Sequence, residues 1–209
     1  MTKYPRYQDY VIKDGKLVGD FEGMYKDFVD PWEQTTREKN AIEKLIGLEL
    51  LKKYEHKKAL EYGCGFGDYT NKINKIIGYS AGIDISETAI EKARKRHASL
   101  DFFVGDLLNE QVLDTVKPDC ICMIEITWYV LEKLDVFKEL LMKKQSGSGF
   151  FHTLMTYAPG EQKYGADYFT NIDEICDYWS DVIDIKEWGI NSNATYGGGS
   201  RTFFYGEVK

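Results

Sequence analysis

The chain has 209 residues, of which 43% are apolar, and a formal net charge of −7 with a sequence pI near 5.1. That is enough apolar content for one domain with a sizeable core, and too much for a disordered chain. The acidic balance argues against a general nucleic-acid-binding surface, while a few local cations would still suffice for an anionic small substrate.

The opening MTKYPRYQDYVIKDGK has no apolar signal core, and no run approaches membrane-spanning length. A cytoplasmic location without membrane contact is therefore expected. Cys64, Cys120, Cys122 and Cys176 fit neither a disulfide framework nor a paired zinc motif, so buried free thiols and no metal are expected. Cys120 and Cys122 alternate in an apolar run and should share one strand face.

Residues 1 to about 36 are aromatic and polar, with a turn predicted at Asp14-Gly15. The stretch 37–55 carries Ile42, Leu45, Ile46, Leu48, Leu50 and Leu51 at near-helical spacing. KKALEYG then reads as a short buried strand, DYTNKINKII as a helix, and SAGIDIS as a second strand. SETAIEKARKRH is a predicted helix with Ser86 as its N-cap. LDFFVGDLL and PDCICMIEI are a third and fourth strand, followed by the helix LEKLDVFKELLMKK. SGFFHTLMTY is a fifth strand, IDEICDYWSD a short helix, VIDIKEW a sixth strand and RTFFYGEV a seventh. Alternating strands and helices imply an α/β fold with a parallel sheet covered on both faces. The last two strands have no helix between them, so one of them should run antiparallel. The expected organisation is a single domain over 1–209, with 1–55 as an N-terminal cap segment and helix.

EYGCGFG places Gly63, Gly65 and Gly67 in the first strand-to-helix turn. In a doubly wound sheet that turn faces the ligand crevice, where absent side chains permit close approach and the next helix offers free N–H groups. Asp84 ends the second strand, 17 residues beyond Gly67, and Asp106 ends the third, 22 residues further. A carboxylate at the first position can accept from both hydroxyls of a ribose, and one at the second from an exocyclic adenine amine. Each also has a plain reading as a turn or capping residue. A dinucleotide fold would favour G-x-G-x-x-G over the GCGFG present here.

EYGCGFG, GIDIS, GDLL and the DCICMIEI strand together resemble the class I S-adenosylmethionine-dependent methyltransferases over roughly 57–158. The resemblance implies a Rossmann-like, seven-stranded, mostly parallel sheet with one antiparallel strand near the C-terminus and helices on both faces. It implies S-adenosylmethionine as cofactor and S-adenosylhomocysteine (SAH) as product. Glu61 would support the glycine loop, and Gly63, Cys64 and Gly65 would approach the methionine part. Asp84 would hold the ribose, Ile85 would pack on the adenine, and Asp106 with Leu107 would read its edge. Phe66 departs from the family's usual small residue and should pack beneath the loop.

The leader FEGMYKDFVDPWEQ is similar to those of small bacterial methyltransferases, including nodulation-factor N-methyltransferases and enzymes of sugar, surface-polysaccharide and capsule modification. Tyr25 and Trp32 would then contact the methionine end of the cofactor, or else simply pack a cap helix. Glu125, Trp128 and Tyr129, after the fourth strand, fall near the expected reactive centre, with core packing as the alternative for both aromatics. For a sugar hydroxyl acceptor a general base is required, and His152 is the first candidate, Glu125 the second, with Tyr157 orienting the acceptor. His152 also reads as a core histidine. For a phosphate-like oxygen, Arg37 and Arg201 are the cations expected to matter, then Lys163. The expected activity is methyl transfer to a small polar acceptor, an oxygen of a sugar or capsule precursor ahead of a small amine. A non-catalytic sensor stands as the alternative, and an acidic, aromatic-rich chain is compatible with a homodimer.

Overall fold

The computed structural model describes residues 2–36, 41–192 and 199–209. The leader starts with a 3-10 turn, Tyr7–Tyr10, and a hairpin of β1 (Ile12–Lys13) and β2 (Lys16–Leu17). Its turn is the expected Asp14-Gly15, both at positive φ, which matches the twist of a tight hairpin. A short helix, α1 (Phe21–Asp27), follows, capped by Asp20 accepting from Gly23 N–H.

Next come α2 (Ile42–Lys53), β3 (Ala59–Tyr62), α3 (Asp68–Ile77), β4 (Ser80–Asp84), α4 (Glu87–Arg96) and β5 (Asp101–Val104). The remainder is α5 (Glu110–Val116), β6 (Cys120–Ile124), α6 (Leu134–Lys144), β7 (Gly149–Thr156), α7 (Ile172–Trp179), β8 (Ile183–Ser192) and β9 (Ser200–Val208). Helix α3 spans the predicted DYTNKINKII, bracketed by Gly67 and Gly78 in left-handed conformation. Ser86 caps α4 by accepting from Ala89 N–H, as expected.

Among the described residues, β3 to β9 form one seven-stranded sheet in the order β5-β4-β3-β6-β7-β9-β8. All pairs from β5 to β7 are parallel, and β9 is antiparallel to both β7 and β8. The mostly parallel α/β architecture with its reversed C-terminal strand is as expected. The strand order reverses between β3 and β6, so the tips of β3, β4 and β6 bound the crevice.

The structure departs from the sequence reading in several places; β8 runs on to Ser192, past the expected end at Trp188, and the helix expected from Leu131 begins as a 3-10 turn before α6. The third strand stops at Val104, because Gly105 and Asp106 turn out of the ladder. Helix α5 was not foreseen; it has only seven residues and three buried apolar positions, Val112, Leu113 and Val116, with Asn109 as its cap.

Central strands are buried on both faces, and their alternation sorts side chains into two layers. Leu60, Tyr62, Ile121, Met123, Phe150 and Leu154 face α6 and α7. Ala59, Cys120, Cys122, Ile124 and Phe151 face α2 and α3, so the two cysteines share a face as predicted, and all four thiols are free. Trp179, fully buried, stacks near Phe150 at 5.0 Å between ring centroids and near His152 at 5.9 Å. Trp179→Ala is expected to cost about 3–5 kcal/mol, read as a lower urea midpoint at unchanged slope.

Candidate functional site

The turn between β3 and α3 holds Gly63, Gly65 and Gly67 at φ +68°, +53° and +74°. Gly63 and Cys64 N–H both donate to Ile83 O, at 2.8 and 3.1 Å, which ties the turn to β4. Asp84, at the β4 tip, locks it further. Its Oδ2 accepts from Gly65 N–H and its Oδ1 from Ser86 N–H, both at 2.9 Å. Burial pushes the Asp84 pKa up to about 6, because desolvation outweighs these donors. Behind the turn, Glu61 accepts from Thr70 Oγ1 at 2.5 Å, and burial raises its pKa to about 7. Phe66 is fully buried under the turn, 5.4 Å from the Tyr25 ring, with the Arg96 guanidinium 4.5 Å from its centroid.

These tips open into a cavity of about 490 Å³. Tyr25, Trp32, Glu61, Gly63, Cys64, Asp84, Ile85, Asp106, Leu107, Glu125, Tyr129 and Arg201 line it, so the structure brings together most of the residues singled out from the sequence. Ile85 is 54% exposed there, whereas Leu107 is buried. Asp106 accepts from Leu108 N–H at 3.0 Å and pairs with Lys133 Nζ at 2.8 Å, and this lysine holds its carboxyl below the ordinary range. Arg201, from β9, is paired at 2.7 Å with Glu43 of α2, which is fully buried. Removing Glu43 deletes one partner of a buried ion pair, so Glu43→Ala is expected to destabilise the fold by about 3–5 kcal/mol in chemical denaturation.

Four expectations take a different form. His152 does not line the cavity. It shares the face of Phe150 and Leu154, is fully buried, stacks on Phe204 at 4.8 Å, and bonds Thr127 Oγ1 through Nε2 at 2.7 Å. Desolvation lowers its pKa to about 3, so it stays neutral and out of reach of a bound acceptor. The expectation of a general base at His152 is corrected to a core histidine. Trp128 is likewise a packing residue: its Nε1 donates to Met155 O at 2.7 Å and its ring lies 5.2 Å from Phe169. Tyr157 is 43% exposed, flanks Trp128 at 6.1 Å and lies outside the lining, as does Lys163. Arg37 lies outside the described residues.

Glu125 has an unusual position. It follows β6 at φ +58°, its Oε2 accepts from Met155 N–H at 2.9 Å, and its Oε1 is buried without a hydrogen-bond partner among the described residues. Burial raises its pKa to about 7, against the opposing charge of Arg201.

The leader contributes residues that the sequence reading missed. Gln34 Oε1 accepts from Phe66 N–H at 3.0 Å, and Asp30 fixes this segment by accepting from Gln34 and Thr35 N–H. Glu22 of α1 sits on the N-terminus of α4, accepting from Ser86 Oγ at 2.6 Å and Thr88 Oγ1 at 2.7 Å. Burial alone would raise its carboxyl, but these donors bring it to about 2. Lys44 and Lys133 also line the cavity. The donors and acceptors for Glu22 and Gln34 are 64 to 66 and 32 residues away in sequence, so no local pattern announces them. Lys133 was read only as part of a helix.

Residues 59–142 match the model of a family described as "Methyltransferase domain". A "Putative methyltransferase 235L" of Invertebrate iridescent virus 6 is 24% identical over 166 residues, 72% of this chain. The chain spans 62% of that relative's length. Among solved structures, the N-methyltransferase NodS from Bradyrhizobium japonicum WM9 in complex with SAH superposes with a TM-score of 0.63 at 12% identity, over 90% of this chain and 97% of that one. Magnesium protoporphyrin IX methyltransferase from Synechocystis PCC 6803 with bound S-adenosylmethionine gives 0.60 at 15% identity, over 97% and 90%. At these identities the two structures establish the shared fold.

Proposed function

We propose that the protein transfers the methyl group of S-adenosylmethionine to an oxygen or nitrogen of a small polar acceptor, a reading supported by the match of residues 59–142 to a methyltransferase domain. The observation that carries this reading is Asp84, which fastens the glycine turn to the β4 tip and faces a cavity ending at Asp106. The residues suit the cofactor. Gly63 and Cys64 line the cavity beside Asp84, and a Cβ at Gly63 would overlap Ile126, or at Gly65 would lie 2.6 Å from Gln34 Oε1 and 2.8 Å from the Tyr25 hydroxyl, so the turn holds its shape only without side chains there.

In this reading Asp84 accepts from the ribose hydroxyls, Ile85 and Leu107 bracket the adenine, and Asp106 with Lys133 meets its polar edge. Lys44, whose charge acts on both Glu61 and Glu125, complements the carboxylate at the amino-acid end. When bound, the cofactor supplies an electrophilic methyl carbon. The chain's own work is to align the acceptor with that carbon and exclude water, using the leader's Tyr25 and Trp32 as the cover. Glu125, a lining residue whose pKa burial raises to about 7, is the candidate in this reading to take the acceptor's proton. The leader's resemblance to sugar- and capsule-modifying enzymes supports an oxygen of such a precursor, ahead of a small amine.

Calorimetry with SAH, then incubation with methyl-labelled S-adenosylmethionine and a panel of nucleotide sugars and amines, tests the reading. Binding and transfer support it; binding without transfer to any acceptor supports a sensor; no binding rejects it. The ionised form of Asp84 accepts from the ribose, and its pKa is raised to about 6. SAH affinity is therefore expected to be full above pH 7 and to fall as pH drops through 6, about tenfold per unit below it. Asp84→Asn should flatten that acid limb.

A further inference from the structure

The polar edge at the nucleoside end of the cavity carries two opposite charges. Asp106 follows β5, and Lys133 closes the 3-10 turn Leu131–Lys133 after β6, 27 residues further along the chain. Both line the cavity, as do Ile85, Leu107 and Val130. Their side chains are 38% and 42% exposed, so neither is sealed in the core. Asp106 Oδ1 accepts from Leu108 N–H at 3.0 Å, and Oδ2 accepts from Lys133 Nζ at 2.8 Å. The lysine backbone is itself fixed, since its N–H donates to Val130 O at 2.8 Å. Among the described residues, Asp106 is the carboxylate that pairs with Lys133, which leaves the other N–H donors of the ammonium uncommitted. A half-exposed ion pair adds little to stability, so the consequence of this one lies in what it presents to the cavity.

A carboxylate alone only accepts, which suits the exocyclic amine of adenine. An ammonium beside it adds donors, and the two together make an acceptor–donor couple. Two kinds of purine edge match such a couple. Adenine gives its amino N–H to Asp106 and turns its ring nitrogen N1, an acceptor, to Lys133. A 6-oxopurine gives its N1–H to Asp106, and its carbonyl oxygen accepts from Lys133. From this geometry we infer that Lys133 sets the base specificity of the site, so that the cavity binds cofactor analogues with a 6-oxopurine base as well as those with adenine. The inference rests on the methyltransferase reading and specifies which cofactor bases its cavity takes.

The two bases depend on Lys133 unequally. Without the lysine, adenine keeps its bond to the carboxylate and loses only a donor to N1. A 6-oxopurine instead brings a carbonyl oxygen beside Asp106 with no positive charge to separate them, and two acceptors then oppose each other. A substitution at position 133 therefore splits the two bases, whereas damage to the fold alone would weaken both alike.

The test is calorimetry on the full-length protein with SAH and with S-inosylhomocysteine, its 6-oxo counterpart. The wild type is expected to bind the two within about tenfold of each other, since each base makes one bond to the carboxylate and receives one from the ammonium. In Lys133→Met the preference for SAH is expected to widen by about tenfold or more, the worth of a hydrogen bond to a charged group. The wild-type comparison needs no variant, so it decides the matter alone if Lys133→Met fails to fold. A larger wild-type preference for SAH overturns the inference, as does a Lys133→Met preference that fails to widen by that factor. Failure to bind SAH at all rejects instead the methyltransferase reading beneath it.

Discussion

Asp84→Ala is expected to weaken SAH binding by at least about a hundredfold, since two charge-assisted hydrogen bonds to the ribose are each worth about 1.5–3 kcal/mol. The carboxylate has two duties. It binds Gly65 and Ser86 N–H, one to each oxygen, and so sets the distance between the glycine turn and the β4 tip. Asp84 also lines the cavity, and an ionised carboxylate can accept beyond those two bonds. Removing it orphans two N–H groups, which lowers stability. It also removes a buried charge whose pKa of about 6 shows that folding opposes its ionisation. These effects offset each other, so the thermal midpoint should move little while binding collapses. Calorimetry with SAH beside a thermal melt separates them. A variant that keeps wild-type affinity would remove Asp84 from the site.

Gly63→Val is expected to be the most damaging single change at the turn. At φ +68° a side chain costs about 1–2 kcal/mol, and a valine is stiffer still. Its Cβ would overlap the Ile126 side chain, and crowding of this kind adds about 1–3 kcal/mol. The combined loss should be about 3 kcal/mol or more in urea denaturation, with SAH binding abolished because the turn must move. Gly78 provides the contrast. It too has positive φ, +95°, but a Cβ there meets nothing within 4 Å. Gly78→Ala should cost only the conformational term, about 1–2 kcal/mol, and leave SAH binding intact. Equal effects at the two glycines would show that backbone strain, and not the contact with Ile126, governs the turn.

Much of the fold was legible because its signals are local. Buried parallel strands such as ALEY and CICMI are continuous apolar runs, and α3 is delimited by glycines on both sides. The glycine turn and the two aspartates could be placed together because consecutive strands in such a sheet end at one edge. Helix α5 escaped because seven residues with three apolar positions give little periodicity. His152 illustrates a signal that was present but outweighed by chemistry: Phe150, His152 and Leu154 alternate along β7, which already assigns the histidine to the layer under α7. Arg201 was named as a cation, yet its buried partner Glu43 lies 158 residues away and left no mark in the local pattern. The same holds for Glu22 and Gln34, whose partners belong to the far side of the turn.

A crystal structure of the protein grown with SAH tests the nucleoside cradle most directly. The ribose hydroxyls should lie within hydrogen-bond distance of Asp84, and the adenine between Ile85 and Leu107 with its edge at Asp106. Ordered ligand whose ribose does not touch Asp84, or whose adenine lies away from Asp106, would contradict the cradle and with it the reading of the cavity as a methyl-transfer site.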